Sequence, residues 1–97
     1  MKRKRIPNRL RKYRRIRGLR QKDVAAVLGL VDSSRISRWE RGMCLPATTN
    51  LFKLAAVYRT LVDALYTDVL RETRENVRHK EHIVLKRNHC HDHLERV

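Results

Sequence analysis

Ninety-seven residues suit one small domain with a modest core. Twenty-four Lys and Arg against ten Asp and Glu leave a formal net charge of +14, a balance that calls for an acidic partner, either nucleic acid or an anionic membrane surface. No apolar run comes near the roughly eighteen residues of a spanning helix, and the basic N-terminus lacks the apolar segment of a signal peptide, so a cytoplasmic protein with no membrane association is expected, with Cys44 and Cys90 both reduced.

Gly and Pro are scarce and helix-forming residues dominate, which predicts an all-α fold. Residues 8–68 read as a compact five-helix domain, residues 1–7 as a basic arm before it, and residues 69–97 as a charged C-terminal extension, helical or disordered. The arm reads either as a solvated start or as a segment that follows phosphates or enters a minor groove. Asn8 can cap a first helix that runs to about Arg17 and ends at Gly18. Leu10 and Tyr13 face inward there, and Ile16 is expected to join Leu19 against the core. No acidic residue occurs over residues 2–20. A run of like charge costs stability by self-repulsion, and a helix tolerates it more readily when phosphates neutralise it.

Gln21–Leu28 forms a second helix with Val24, Ala25 and Leu28 on one face; Ala25 and Ala26 are small enough for another helix to lie close. Gly29 can take the left-handed conformation that stops a helix, with Leu30 folding back after it. Asp32, Ser33 and Ser34 are helix-starting residues for a third helix that runs to about Arg41. In it Ile36, Trp39 and Glu40 share one face, and Ser34, Ser37, Arg38 and Arg41 the opposite one. That second face carries hydroxyls and guanidiniums and no carboxylate, which suits the acceptors displayed in a DNA major groove. Trp39 reads as packing, with the alternative that its ring edge lies against a duplex backbone. After a loop around Pro46, Thr48 or Thr49 starts a fourth helix to about Tyr58, closing the core through Leu51, Leu54, Ala55 and Tyr58. Phe52 falls beside that stripe, at the core edge or in an interface. A fifth helix starts near Leu61, with Val62, Leu65, Tyr66 and Val69 as one apolar stripe.

Arg14, Gly18-Leu19, Gln21, Val24-Ala25, Leu28-Gly29, Ile36-Ser37, the Glu40-Arg41-Gly42 triplet, Pro46 and Leu51/Leu54/Ala55 stand in the order of the phage-repressor helix-turn-helix. Over residues 10–65 the chain resembles the Cro/C1-type, XRE-like family, on many positions where a lone Glu-Arg-Gly would be worthless. The resemblance implies a sequence-specific, double-stranded DNA-binding transcriptional regulator whose third helix enters the major groove. Arg38 is then the leading base reader, since a guanidinium can bond guanine O6 and N7 together, with Ser33, Ser34 and Ser37 as shorter and less selective base contacts. Arg20, Gln21 and Lys22 fall to phosphate, Gln21 through its amide beside free backbone N–H groups. Arg35 on the flank and Arg41 at the helix end are further phosphate candidates, Arg41 with the helix dipole as its alternative. Asn50 and Lys53 stand where the family often makes backbone contacts. The resemblance also implies a buried ion pair between Arg14 and Glu40, and a homodimer on palindromic half-sites about one helical turn apart. The chain departs from the pattern twice: Arg20 replaces the usual Ser or Thr cap, and the turn is one residue longer at Val31-Asp32.

Past Leu70 the composition is nearly all charged until the short apolar cluster Ile83-Val84-Leu85, with Val77 between. Arg71 with Glu75, and Glu75 with Arg78, support an exposed helix. Because isolated helices are marginal in water, this segment packs on the domain, pairs with its copy in a second subunit, or frays. The run NHCHDH at residues 88–93 has transition-metal chemistry. Adjacent ligands strain tetrahedral geometry, however, and His79 and His82 complete a site only if the tail folds back. No metal and no cofactor are therefore expected. With no Gly-rich phosphate loop, nucleophile elbow or His-Glu-x-x-His pattern, the chain is not expected to be an enzyme. The rivals to a regulator are an antitoxin-like interaction module whose C-terminal extension binds a partner protein, and a non-specific nucleic-acid coat driven by charge.

Overall fold

The computed structural model describes residues 4–95, with side chains as far as Asn88. Within them every regular element is a helix. A bundle of α1 (Leu10–Ile16), α2 (Gln21–Leu28), α3 (Ser34–Glu40), α4 (Thr48–Tyr58) and the single turn α5 (Val62–Leu65) is followed by the long α6 (Thr67–Glu95). The five most completely buried side chains, Leu10, Val24, Ile36, Leu54 and Leu65, come one from each helix of the bundle. Each contributes about 1.5–3 kcal/mol by leaving water, so the core binds all five elements together. Ala25, Leu28, Trp39, Ala55, Tyr58 and Tyr66 complete it.

The boundaries follow from local chemistry. The Arg20 backbone N–H donates to Asp23 Oδ2 at 2.8 Å, which supplies one half of a capping box at the start of α2. Arginine has no acceptor for the other half; its guanidinium instead folds onto the same carboxylate, Nε to Oδ2 at 3.2 Å. Gly29 ends α2 with φ +77°, and the Leu30 N–H reaches back to the Ala25 carbonyl at 2.9 Å.

One side chain and one element depart from the sequence-based expectation, and for Phe52 one of two expected places is removed. Ile16 is 67 % exposed and does not join Leu19; it lies six residues past Leu10, about 120° off the buried stripe at 3.6 residues per turn. Phe52 is 65 % exposed, well outside the core, because it sits two residues before Leu54 and so on the other side of α4. The expected single fifth helix is broken. At Tyr66 the backbone leaves helical geometry (φ −130°, ψ 49°), and the Thr67 hydroxyl donates to the Asp63 and Ala64 carbonyls, each at 3.2 Å. Tyr66 and Val69 still pack on the core, but from two sides of that break.

Beyond this joint α6 leaves the bundle. All residues over 71–88 are exposed. The radius of gyration is 18.6 Å and the longest dimension 58 Å, where a compact chain of this length has a radius of about 13 Å.

The N-terminal segment is tied down. The Ile6 N–H donates to the Gly42 carbonyl at 2.8 Å, and Gly42 has φ +73°. A Cβ on Gly42 would run into the Ile6 carbonyl oxygen and lie 2.8 Å from the Ile6 nitrogen. Gly42→Ala therefore strains the backbone and expels the Ile6 segment together, with an expected loss of about 2 kcal/mol. Thermal unfolding will read that loss, and limited proteolysis should show faster cleavage near residue 6.

Candidate nucleic-acid interface

The site is built on α3, a helix with two unlike sides. Its start is capped by Asp32, whose Oδ1 accepts the Ser34 N–H at 2.9 Å and also the Ser34 hydroxyl. Ser33, in the cap position, makes no side-chain cap bond. The Ser34 hydroxyl, then the Ser34 N–H, hold the Asp32 carboxyl below its usual range, with the Arg38 and Arg35 charges adding to the effect.

The inner side of α3 packs through Ile36 and Trp39, 1 % and 4 % exposed. Trp39 is thus core packing, with one edge reaching a surface groove. Next to it the Glu40 side chain is wholly enclosed. Arg14 donates to both of its oxygens, Nε to Oε2 at 2.6 Å and Nη2 to Oε1 at 3.1 Å. Gln21 Nε2 donates to Oε1 at 3.0 Å, and Arg11 Nε approaches it at 3.5 Å. Burial pushes the Glu40 carboxyl up. The Arg14 and Gln21 hydrogen bonds, the Arg14 charge and the Arg11 bond outweigh it and leave the group below the usual carboxylate range. The same hydrogen bond raises the Arg14 guanidinium, whose Nη1 also donates to the Leu19 carbonyl at 2.9 Å. One carboxylate thereby joins α1, the start of α2 and α3.

The far end of α3 is held by Asn8. Its Nδ2 donates to the Trp39 and Glu40 carbonyls at 3.1 and 3.3 Å, and its Oδ1 accepts the Leu10 N–H at 3.1 Å. A helix end leaves its last four carbonyls without helical partners; Asn8 serves two of them, and the Trp39 carbonyl also accepts the Gly42 N–H at 3.0 Å.

The outer side bears Ser34, Arg35, Arg38 and Arg41, all exposed, with Ser33 and Ser37 half-buried. Two shallow grooves flank it. Gly29, Leu30, Val31 and Asp32 form one with Ser34, Arg35 and Arg38. Trp39, Cys44, Ala47 and Asn50 form the other with the same two arginines. Arg35 and Arg38 thus border both hollows. At the start of α2, Lys22 is exposed and makes no ion pair among the described residues. Gln21 is half-buried and one of its amide hydrogens is engaged by Glu40, leaving its second N–H and backbone for other work. The Arg20 guanidinium already lies on Asp23.

Sequence reasoning missed three features here. Asp32 places a carboxylate beside the arginine face, where only a helix-starting role was read; its position two residues before Ser34 was the available signal. The bonds from Asn8 to Trp39 and Glu40, and from Gln21 to Glu40, span 31, 32 and 19 residues, and no local pattern marks them. Among the described residues no group of three His, Cys, Asp or Glu could hold a metal; the His89, Cys90, His91, Asp92 and His93 side chains lie outside them. Cys44 is an exposed free thiol, and among the described residues no helix is long and apolar enough to cross a membrane.

A short helix held rigidly from behind, joined by a tight turn to the helix before it and presenting arginine and serine outward, defines a DNA-binding helix-turn-helix domain. Residues 10–65 match the profile of the helix-turn-helix family. The chain belongs to that family, in its Cro/C1-type, XRE-like form, and is a DNA-binding transcription regulator. No curated protein and no solved structure matches it.

Proposed function

We propose that this regulator is sequence-specific, that it inserts α3 into the major groove of double-stranded DNA, and that it works in the cytoplasm as a homodimer on paired half-sites. The observation that carries the reading is the division of α3. Ile36, Trp39 and the enclosed Glu40 fix the helix, while Ser34, Arg35 and Arg38 bear no core packing. Such a helix can be pressed into a groove without rearranging its own support.

In this reading Arg38 reads a guanine through O6 and N7, and Ser33, Ser34 and Ser37 make shorter base contacts. The Ser34 hydroxyl hydrogen is occupied by Asp32, so Ser34 meets DNA as an acceptor. Lys22, Arg20, Arg35 and Arg41 hold phosphates, with Gln21 adding its second amide hydrogen. The Arg14–Glu40 pair sets the docking angle of α3 relative to α1 and touches no DNA. The chemistry ends at binding; no step of covalent catalysis is needed.

Selection of binding sites from a random duplex pool at physiological salt tests this. A shared motif with two-fold symmetry is the expected result. Recovery of unrelated sequences with equal affinity, accompanied by a steep salt dependence, would mark a coat driven by charge alone.

A further inference from the structure

The outstanding unexplained feature is α6. Every residue over 71–88 is exposed, yet an unsupported helix of this composition is marginal in water. Its surface is not uniform. Leu70, Val77 and Val84 recur every seven residues and so share one side of the helix, with Thr73 and the long stems of Lys80 and Arg87 between them. Leu70 is half-buried, and Val77 and Val84 are 46 % and 41 % exposed. Two adjoining hollows follow this line. One runs from Leu61 and Ala64 of the α5 region to Leu70 and Arg74; the next is formed by Thr73, Arg74, Val77, Arg78 and Glu81.

Arg74 and Glu81 flank the stripe, each four residues past a member of it, and their charges select the occupant. In a parallel pair of α6 helices Arg74 would lie opposite Val69, and Glu81 opposite Asn76, so neither would find a charge. In an antiparallel pair centred between Arg78 and His79, Arg74 of each copy lies beside Glu81 of the other, twice around the two-fold axis. Val84 then packs across from Thr73. The aliphatic stems of Lys80 and Arg87 cover Val77 and Leu70 with their charges outward. The chain carries a large excess of positive charge, and in this register it offers its copy both signs.

We propose that α6 is the antiparallel pairing surface for a second copy of this chain, with Val77 at its centre and reciprocal Arg74–Glu81 ion pairs. The pairing names the surface of the homodimer proposed above, and its role on DNA rests on that reading.

The test is sedimentation velocity on the full chain without DNA, up to about 100 µM, where association in the micromolar range is readily seen. The wild type should dimerise. Arg74→Glu and Glu81→Arg should each weaken the dimer about tenfold by setting like charges across both pairs, and the double exchange should restore it. Circular dichroism should show the bundle equally folded in all four proteins, since both side chains are exposed and neither belongs to the core. A chain monomeric throughout the range would overturn the proposal, as would a dimer indifferent to both single exchanges or one not restored by the double exchange. None of these outcomes bears on whether a binding site emerges from the duplex pool.

Discussion

Replacing Arg14 with alanine should lower the unfolding free energy by about 3 kcal/mol. Breaking a buried ion pair by removing one partner costs about 3–5 kcal/mol, and Gln21 and Arg11 still reach Glu40, which favours the low end. A bundle of this size has only a few kcal/mol to spare, so urea denaturation should find the variant partly unfolded before denaturant is added. Arg14→Lys should recover little, because one ammonium cannot match the fork that holds both Glu40 oxygens and the Leu19 carbonyl.

The same carboxylate makes stability depend on acid. The Glu40 group titrates lower in the folded protein than its ordinary value of 4.5. Its contribution is therefore complete above that value and disappears as pH falls through the lower, folded-state value. Urea midpoints measured across this window should drop for the wild type and stay flatter for Glu40→Gln, after allowance for the other carboxylates.

Arg38→Ala is expected to weaken the preferred site by about 5- to 150-fold, the equivalent of 1–3 kcal/mol of lost base discrimination. Binding to random duplex should change little. Lys22→Ala should instead weaken all sequences alike and reduce the salt slope by about one. Titrations of both variants against the selected site and a scrambled duplex, at two salt concentrations, separate the two behaviours. If Arg38→Ala leaves the preference unchanged, base reading lies with another residue of α3.

How much of this was readable from residues alone differs element by element. The limits of α2 follow from Gln21 at its start and Gly29 after it, because a terminal cap is local chemistry. The inward residues Leu10, Val24, Ile36 and Leu54 follow from helical spacing. Ile16 and the break at Tyr66 do not. Apolar character says that a side chain would prefer burial, but whether a neighbour arrives to cover it depends on tertiary geometry. The Arg14–Glu40 contact joins residues 26 apart, and only the family resemblance pointed to it, since many arginines nearby carry the same charge. For α6 the residue pattern allowed a helix but left its surroundings open, and the solitary course it takes is a property of the whole chain.

The two-sidedness of α3 bears on how such a protein acquires new targets. Ser34, Arg35 and Arg38 face solvent, and surface substitutions away from capping and packing roles usually shift stability by no more than about 0.5 kcal/mol. A descendant can therefore exchange Arg35 and Arg38 freely, and Ser34 at the modest expense of its bond to Asp32, while Ile36, Trp39 and Glu40 stay as they are. On the proposed reading of α3, its operators can drift while its architecture stands still.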